Sequence, residues 1–411
     1  MPQFFYIGTC IVLWFQRKLV VKRLERFISE RAFRTPLSGI KKFSEKALAL
    51  GDVIRLELGE PDFDTPTYIK EAAKEAMDKG YTHYTAIAGI PELREAIAEK
   101  LREENGIEAD PENEILVTCG GYHAVFAAFN ILLNLGDEVI LTDPSWSAYY
   151  SVAKFVGAKV VYCPLYEDRG FKPDIEELEN KISDRTKLVV LNTPQNPTGA
   201  VLDRKILEEV ADIIQKKDVI LLSDEVYEKI IFDGEKHFSI ASIPDIRDRV
   251  ITVFSFSKTY AMTGWRVGYV VANPTFTAHM RKMVSISTVC ASSIAQYAAL
   301  AALKGPQDAV VEMVKEYEHR RNLIVSELNK ISGVKCFKPR GAFYVFPDFS
   351  EISKDSMSLA MHILEKARVV TVPGVIFGPE IGEGHLRLSF ATSRENLEKA
   401  VRRIREVISN L

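Results

Sequence analysis

The sequence predicts an α/β protein in which a mostly parallel seven-stranded sheet, sandwiched by helices, forms a large domain, and a discontinuous α+β small domain adjoins it. Two observations predict this fold. Between Glu114 and Ala272, short apolar runs alternate with amphipathic stretches, as in parallel strands that helices cover on both faces. Near Gly305 the alternation stops and longer helices follow, which indicates a second domain.

Seven apolar runs supply the predicted strands of the large domain. In chain order they are EILVT, EVILTDP, VVYCPL, KLVVLNTP, VILLSDEVY, RVITVFSFSK and WRVGYVVAN. Helical patterns between them, such as His123 to Leu133 and Arg204 to Gln215, supply the crossover connections that parallel strands require.

The C-terminal part is predicted to consist of helices joined by short strands. A long helix from Ala309 to Ile331 precedes the strand GAFYVFPDF, a helix follows from Ser358 to Ala367, and a charged amphipathic helix begins at Glu395. Asp52 to Leu58 is predicted to return to this domain. The predicted division is therefore 59–304 for the large domain, with 22–58 and 305–411 for the small domain.

Residues 1–21 form an apolar N-terminal segment whose role the sequence leaves open. Its apolar run, Phe4 to Phe15, is shorter than the ~20 residues needed to cross a bilayer. Basic residues follow this run, whereas a secretory signal carries them in front. Three interpretations remain: an interfacial anchor, burial against the body or a partner subunit, or a biological start near Val20 or Val21.

Composition excludes several classes of protein. The 411 residues are 47% hydrophobic and 27% charged, which is ordinary for a globular chain and excludes disorder, collagen and coiled coil. A net charge of -3 without a basic stripe predicts no nucleic-acid partner. The five cysteines are scattered without a CxxC pair and the histidines lack ligand spacing, so we expect a cytoplasmic protein with no metal site and no membrane partner.

The cluster around Lys258 carries the strongest chemical signal. Lys258 ends an apolar strand, and a lysine in a partly desolvated pocket has a lowered pKa and can form a Schiff base with a carbonyl. The neighbouring Ser255, Ser257 and Arg266 are suitable anchors for a phosphate. The alternative for the lysine alone is a strand-end side chain that extends to water.

Three further clusters lie near predicted strand ends, where open α/β sheets bind ligands. If Asp224 is buried, it requires a positive partner, such as a protonated pyridine nitrogen. Tyr227 could then form a hydrogen bond with an oxygen on the same ring. The alternative is that Asp224 caps the next turn. Asn196, in a turn rich in proline, offers an amide donor. Gly120 and Gly121 precede a helix, whose N–H groups cradle phosphate. Each motif is weak alone, but together they describe a pyridoxal-phosphate pocket.

Motifs along most of the chain carry a family resemblance. LELGEPDFDTP, HYTAIAGIPELREAI, LNTPQNPTGAV, SDEVYE, SFSKTYAMTGWRVGY and GEGHLRLSFATS occur in order, and from Leu56 onward the chain resembles class I/II aminotransferases of the aspartate/aromatic branch, within the fold type I pyridoxal-phosphate enzymes. The resemblance implies an enzyme that transfers an amino group, in ping-pong fashion, from an amino acid to a 2-oxo acid such as 2-oxoglutarate, with pyridoxal 5'-phosphate as cofactor.

The resemblance also implies roles for individual residues. Lys258 would bind the cofactor covalently and carry the catalytic proton. Asp224 would keep the pyridine nitrogen protonated, and Arg387 would hold the substrate α-carboxylate with Gly59 closing over it. The other implied cofactor contacts are Trp146 stacked on the ring, Tyr227 and Asn196 at its oxygen, and Gly120, Gly121, Tyr122, Ser255, Ser257 and Arg266 around the phosphate. Trp146 and Asn196 would also contact substrate, and Tyr84 would reach the site of a neighbouring subunit, which implies a homodimer with shared active sites.

One departure leaves the substrate open. Some aspartate-preferring relatives carry a lysine directly after the glycine pair, whereas this chain has Tyr122. The sequence therefore does not distinguish aspartate, aromatic amino acids and a broad range of amino acids as the preferred amino donor. A carbon–sulfur β-lyase and a kynurenine-type aminotransferase are the alternatives on the same fold. A transcription regulator is disfavoured, because no helix-turn-helix pattern precedes Leu56.

Overall fold

The computed structural model describes residues 24–36 and 39–410, so the predicted segment 1–21 lies outside the described residues. The strands, in chain order, are β1 (Ile54–Arg55), β2 (Ile115–Thr118), β3 (Glu138–Asp143), β4 (Lys159–Pro164), β5 (Thr186–Asn192), β6 (Ile220–Asp224), β7 (Val250–Ser255), β8 (Gly268–Val271), β9 (Tyr344–Val345), β10 (Val369–Val370), β11 (Val372–Pro373) and β12 (Leu386–Ser389).

The predicted seven-stranded sheet is confirmed. Its strand order is β2-β8-β7-β6-β5-β3-β4, and β8 runs antiparallel to both of its neighbours while the other pairings are parallel. The central strands are buried along almost their whole length. This burial explains why their sequences are uniformly apolar instead of alternating.

Helices cover the sheet and continue beyond it. They are α1 (Glu30–Arg34), α2 (Gly39–Leu50), α3 (Thr67–Asp78), α4 (Pro91–Lys100), α5 (Gly121–Leu132), α6 (Ser147–Val156), α7 (Ile175–Lys181), α8 (Arg204–Lys217), α9 (Phe256–Thr259), α10 (Pro274–Ser287), α11 (Ser293–Lys304), α12 (Asp308–Leu328), α13 (Ser356–Ala367) and α14 (Arg394–Ile408). Across the described ranges, every helix falls short of the length or the apolar character that a bilayer-spanning segment requires.

Helix α8 shows how the sequence specifies a crossover. Asp203 precedes it, and its carboxylate accepts a hydrogen bond from the backbone N–H of Ile206 at 3.1 Å, which caps the first turn. Leu207, Val210 and Ile214 are buried on one face, at the spacing of a helix that packs one side against a sheet.

Strand pairings outside the central sheet support the proposed small domain. β1 runs parallel to β10, with Ile54 opposite Val369, so residues before the large domain pair with residues near the C-terminus. β12 lies between β11 and β9 in a three-stranded sheet. These strands pack with α12, α13 and α14 in a core separate from the two that flank the large sheet. The division at 58/59 and 304/305 stays a proposal.

The predicted strand GAFYVFPDF is much shorter in the structure, where only β9 is regular. Before β9, Gly341 bridges to Ile231. After β9, Pro347 has no backbone N–H and interrupts the ladder to β12, and Asp348 then bridges to His385 in the register of that ladder and also to Lys335. The prediction followed the apolar residues and overlooked this proline.

The central strand β6 gives a test of the fold. Leu221 is fully buried between its neighbours, so Leu221→Ala should lower the free energy of unfolding by about 2–5 kcal/mol, through lost burial and the cavity left behind. Leu135→Ala, at a side chain that is 77% exposed, should change it by less than ~0.5 kcal/mol. Urea unfolding of both variants measures the difference, and equal losses would contradict this packing.

Candidate active site

A cavity of about 370 Å³ lies at the carboxyl ends of β5, β6 and β7. This is the edge at which open α/β sheets bind ligands. The cavity brings together most of the residues that the sequence singled out: Gly59, Gly121, Tyr122, Trp146, Asn196, Asp224, Tyr227, Ser255, Ser257, Lys258, Arg266 and Arg387.

Two predicted residues lie elsewhere. Gly120 does not line the cavity but packs beneath it: its φ is +81°, and a Cβ there would lie 2.5 Å from Nη2 of Arg266. Glycine is therefore required for the guanidinium to lie where it does. Tyr84 is 82% exposed and lies outside the cavity of its own chain. Its predicted contact with a partner subunit stays a prediction.

Lys258 is the third residue of the short helix α9, which directly follows the end of β7. Its Nζ donates a hydrogen bond to the carbonyl oxygen of Gly59. Burial lowers the pKa of Lys258 to about 8, although the nearby Glu60 carboxylate opposes the shift. About a tenth of the amine is thus neutral at pH 7, far more than for an ordinary lysine, and the neutral form is the one that a nucleophile or a general base requires.

Asp224 ends β6 and is buried. Its Oδ2 accepts a hydrogen bond from the hydroxyl of Tyr149 at 2.6 Å, and its Oδ1 accepts one from the backbone N–H of Val226 at 3.3 Å. The turn-capping role that the sequence left as an alternative is therefore real, and it coexists with a position in the cavity. Burial raises the pKa of Asp224 to about 6, and the Tyr149 hydrogen bond partly offsets that rise.

Arg387 lies on β12 and is buried without a carboxylate partner among the described residues. Nη1 donates to Oδ1 of Asn196 at 3.1 Å, and Nη2 donates to the carbonyl oxygen of Glu57 at 2.6 Å. Its Nε is buried and makes no hydrogen bond. Burying a cation that only neutral acceptors hold costs free energy of desolvation. We therefore expect Arg387 to bind an anionic group from outside the chain.

The other end of the cavity contains groups suited to a phosphate. Arg266 donates to the carbonyl oxygens of Thr263 at 2.7 Å and Cys119 at 3.5 Å, and no described carboxylate pairs with it. Gly121 begins α5, whose first backbone N–H groups have no partner within the helix. The hydroxyl of Ser255 accepts a hydrogen bond from the backbone N–H of Ser257 at 3.2 Å and still has its proton to donate.

The residues that position the predicted site residues were not themselves predicted from the sequence. Tyr149 supports Asp224, and the Tyr344 hydroxyl lies 2.8 Å from that of Tyr227. Oδ1 of Asn192 accepts a hydrogen bond from the backbone N–H of Asn196 at 2.8 Å. Tyr149 follows Trp146 by three residues at the start of α6, so helical spacing could have found it. Tyr344 comes from β9, and no local signal indicated it.

The fold and the cavity together define a class: an α/β enzyme that presents a half-buried lysine, a buried aspartate and a buried arginine to one ligand site. Comparison with known proteins gives the family. Residues 51–404 match the family described as aminotransferase class I and II. The chain belongs to this family and is an amino-acid aminotransferase, as its motifs predicted.

Individual relatives agree. The chain is 44% identical over 384 residues to an aspartate aminotransferase of Pyrococcus horikoshii, covering 93% of this chain and 97% of that protein. It is 42% identical over 383 residues to aromatic-amino-acid aminotransferase 2 of Thermococcus litoralis, covering 93% and 98%. The structure of aspartate aminotransferase from Thermus thermophilus with maleate matches with a TM-score of 0.88 at 42% identity, covering 92% of this chain and 99% of that one. These names do not favour the β-lyase alternative.

The Tyr149 hydroxyl gives a test of the electrostatics at Asp224. Because the hydrogen bond stabilises the ionised carboxylate, Tyr149→Phe should raise the pKa of Asp224 above its present value of about 6. Infrared spectroscopy of cofactor-free protein would follow the protonated carboxyl band against pH, with Asp224→Asn to identify the band. Tyr150→Phe is the control, and an unchanged midpoint in Tyr149→Phe would contradict the assignment.

Proposed function

We propose that this aminotransferase uses pyridoxal 5'-phosphate and accepts a broad range of amino donors that includes aromatic amino acids. One observation carries the proposal: Lys258 and Arg387 both face the same cavity, both are desolvated, and neither has a described carboxylate partner. Such a pair suits a site in which the lysine reacts with the carbonyl group of a cofactor and the arginine binds the carboxylate of an amino acid.

The residues present fit the cofactor. Asp224 supplies a buried carboxylate for a protonated ring nitrogen, Tyr227 and Asn196 supply polar atoms for a ring oxygen, and Arg266 with the start of α5 suits a phosphate. When bound, pyridoxal 5'-phosphate supplies an aldehyde for the amino group and an electron-poor ring that withdraws electrons from Cα.

Arg387 would bind and orient the amino acid. Its guanidinium is held by Asn196 and by the carbonyl oxygen of Glu57, so it cannot turn away from the cavity. The guanidinium carbon also lies over the aromatic ring of Tyr344, 4.5 Å from the ring centroid. A fixed fork that clamps the α-carboxylate also fixes the direction of the Cα–H bond, and such positioning lowers the barrier to proton loss.

Lys258 would then move the proton. With a pKa of about 8, its amine can accept a proton from Cα and return it without a large energetic cost in either direction. The carbonyl oxygen of Gly59 accepts a hydrogen bond from Nζ and so directs the amine within the cavity.

The charges of the cavity support the donor range. Its cationic residues, among those described, are Lys258, Arg266 and Arg387, and each has a role in the proposal already. The described lining of the cavity thus offers no fourth cation for a side-chain carboxylate. Tyr122 and Trp146 instead present aromatic rings, in edge contact with centroids 5.2 Å apart. Aromatic surfaces accept aromatic and aliphatic side chains.

Assembly and location are also proposed. Exposed apolar side chains near Tyr84, such as Tyr81 and Ile87, support a homodimer in which Tyr84 reaches the partner's phosphate site. The scattered free cysteines support a reducing, cytoplasmic location.

Lys258→Ala tests the central assignment. We expect turnover to fall by more than about 10³-fold, since both the covalent attachment point and the proton carrier are removed. The cofactor should still bind, detected by its visible absorption, and borohydride should no longer fix it to the chain. Lys205→Ala, at an exposed lysine, is the control. Near-normal turnover with bound cofactor would refute the role of Lys258.

Tyr122→Lys tests the donor range. A lysine here should raise kcat/KM for aspartate relative to phenylalanine by about tenfold, equivalent to ~1.4 kcal/mol, because it adds a cation beside the substrate side chain. Tyr122→Phe keeps the ring and should leave the ratio nearly unchanged. Aspartate as sole donor of the unmodified enzyme, or an unchanged ratio in Tyr122→Lys, would overturn this part of the proposal.

A further inference from the structure

A second group of ligand atoms lies away from the cavity. One ligand atom each of Glu167, Asp348 and His385 lie within 4.8 Å of one another, and no other group of three or more such residues occurs among those described. Glu167 follows β4, Asp348 follows β9, and His385 directly precedes β12. The three are far apart in the chain, which is why motif spacing predicted no metal ligands.

His385 has the orientation of a metal-binding histidine. Its Nδ1 lies 3.1 Å from the carbonyl oxygen of Glu383, so Nδ1 carries the proton when the ring is neutral. Nε2 is then a lone-pair donor; it is buried and makes no hydrogen bond. Metal-binding histidines commonly use their other ring nitrogen in this way, to fix the tautomer and the ring direction.

The surroundings hold the three side chains in place. The imidazole stacks on Phe346, with centroids 4.8 Å apart and planes at 12°. Oδ1 of Asp348 accepts a hydrogen bond from the backbone N–H of Ser350 at 2.7 Å. Oε2 of Glu167 lies 3.8 Å from Nε2 of His385. The nearby Lys335 bonds to Glu351 at 2.7 Å, and its positive charge also attracts the carboxylates of Asp348 and Glu167.

The spacing suits one small cation. The ligands of a tetrahedral zinc ion, each bonded at ~2.0–2.2 Å, lie about 3.3–3.6 Å apart. Nε2 of His385 and Oε2 of Glu167 are close to this separation, at 3.8 Å. The ligand atoms of the full cluster lie within 4.8 Å of one another, so they need to approach by about 1.3 Å, through rotation of the two carboxylate side chains. One imidazole and two carboxylates form a donor set for divalent first-row transition metals.

We propose that Glu167, Asp348 and His385 form a binding site for one zinc-type divalent metal ion. The ion joins the segment after β4 to the sheet of β9, β11 and β12. His385 is two residues before Arg387, so the ion steadies the start of the strand that carries this arginine. Its role is structural, because its ligands do not line the active-site cavity.

Cobalt binding tests the site. Cofactor-loaded protein without a polyhistidine tag, stripped of metal, would be titrated with Co²⁺ and followed by metal analysis after dialysis. We expect one ion per chain, displaced by Zn²⁺, and a thermal midpoint that rises with added Zn²⁺. His385→Ala should weaken binding by more than the ~10–100-fold typical of losing an outer-shell partner. Its control is His279→Ala, at an exposed histidine.

Glu167→Gln provides a second variant that keeps the side-chain shape and removes the anionic ligand. It should fold normally, lose Co²⁺ affinity and lose the Zn²⁺-dependent rise of the thermal midpoint. Equal Co²⁺ binding by the unmodified protein, His385→Ala and Glu167→Gln would overturn the proposal. So would no binding at all, which would leave the three side chains as neighbours without a ligand.

Discussion

The arrangement of the active site depends on keeping Arg387 and Lys258 desolvated without a salt bridge to any carboxylate among the described residues. Arg387 is held only by neutral acceptors, and Lys258 donates to a backbone carbonyl. Such groups destabilise an isolated fold unless the surrounding structure is rigid enough to prevent their escape to water. The seven-stranded sheet supplies that rigidity, because Asp224 and Lys258 lie at or just beyond the ends of its buried central strands.

Strands from outside the sheet complete the site. Arg387 is on β12, which pairs with β9 and β11, while the carbonyl oxygen that fixes its Nη2 belongs to Glu57, just after β1. The residues that line the two ends of the cavity therefore come from distant parts of the sequence. The pairing of β1 with β10, the hydrogen bond from the backbone N–H of Ser389 to the carbonyl oxygen of Leu56 at 2.7 Å, and the core around them bring these parts together.

The contrast between strand ends of the sheet and long-range strand pairing explains which parts of the site could be predicted from the sequence. The sheet and the polar residues at its strand ends could be predicted, because an apolar run that ends in a polar residue is a local pattern. Tyr344 and Glu57 were missed because their contacts with Tyr227 and Arg387 arise from tertiary pairing. The extent of β9 was wrong for a local reason, because Pro347 has no backbone N–H and interrupts the pairing with β12. The motifs located Arg387 only through family resemblance, because no periodicity distinguishes it from a surface arginine.

Burial shifts the pKa values of Lys258 and Asp224 in opposite directions, and this opposition has a consequence for ligand binding. The pKa of Lys258 is lowered to about 8 and that of Asp224 is raised to about 6, so each group is moved toward its neutral form. A ligand with a protonated ring nitrogen would return Asp224 fully to the carboxylate, and an α-carboxylate would supply Arg387 with its missing counter-charge. Ligand binding thus supplies counter-charges to Asp224 and Arg387, which folding alone leaves desolvated. Occupancy of the cavity is therefore coupled to the stability of the fold.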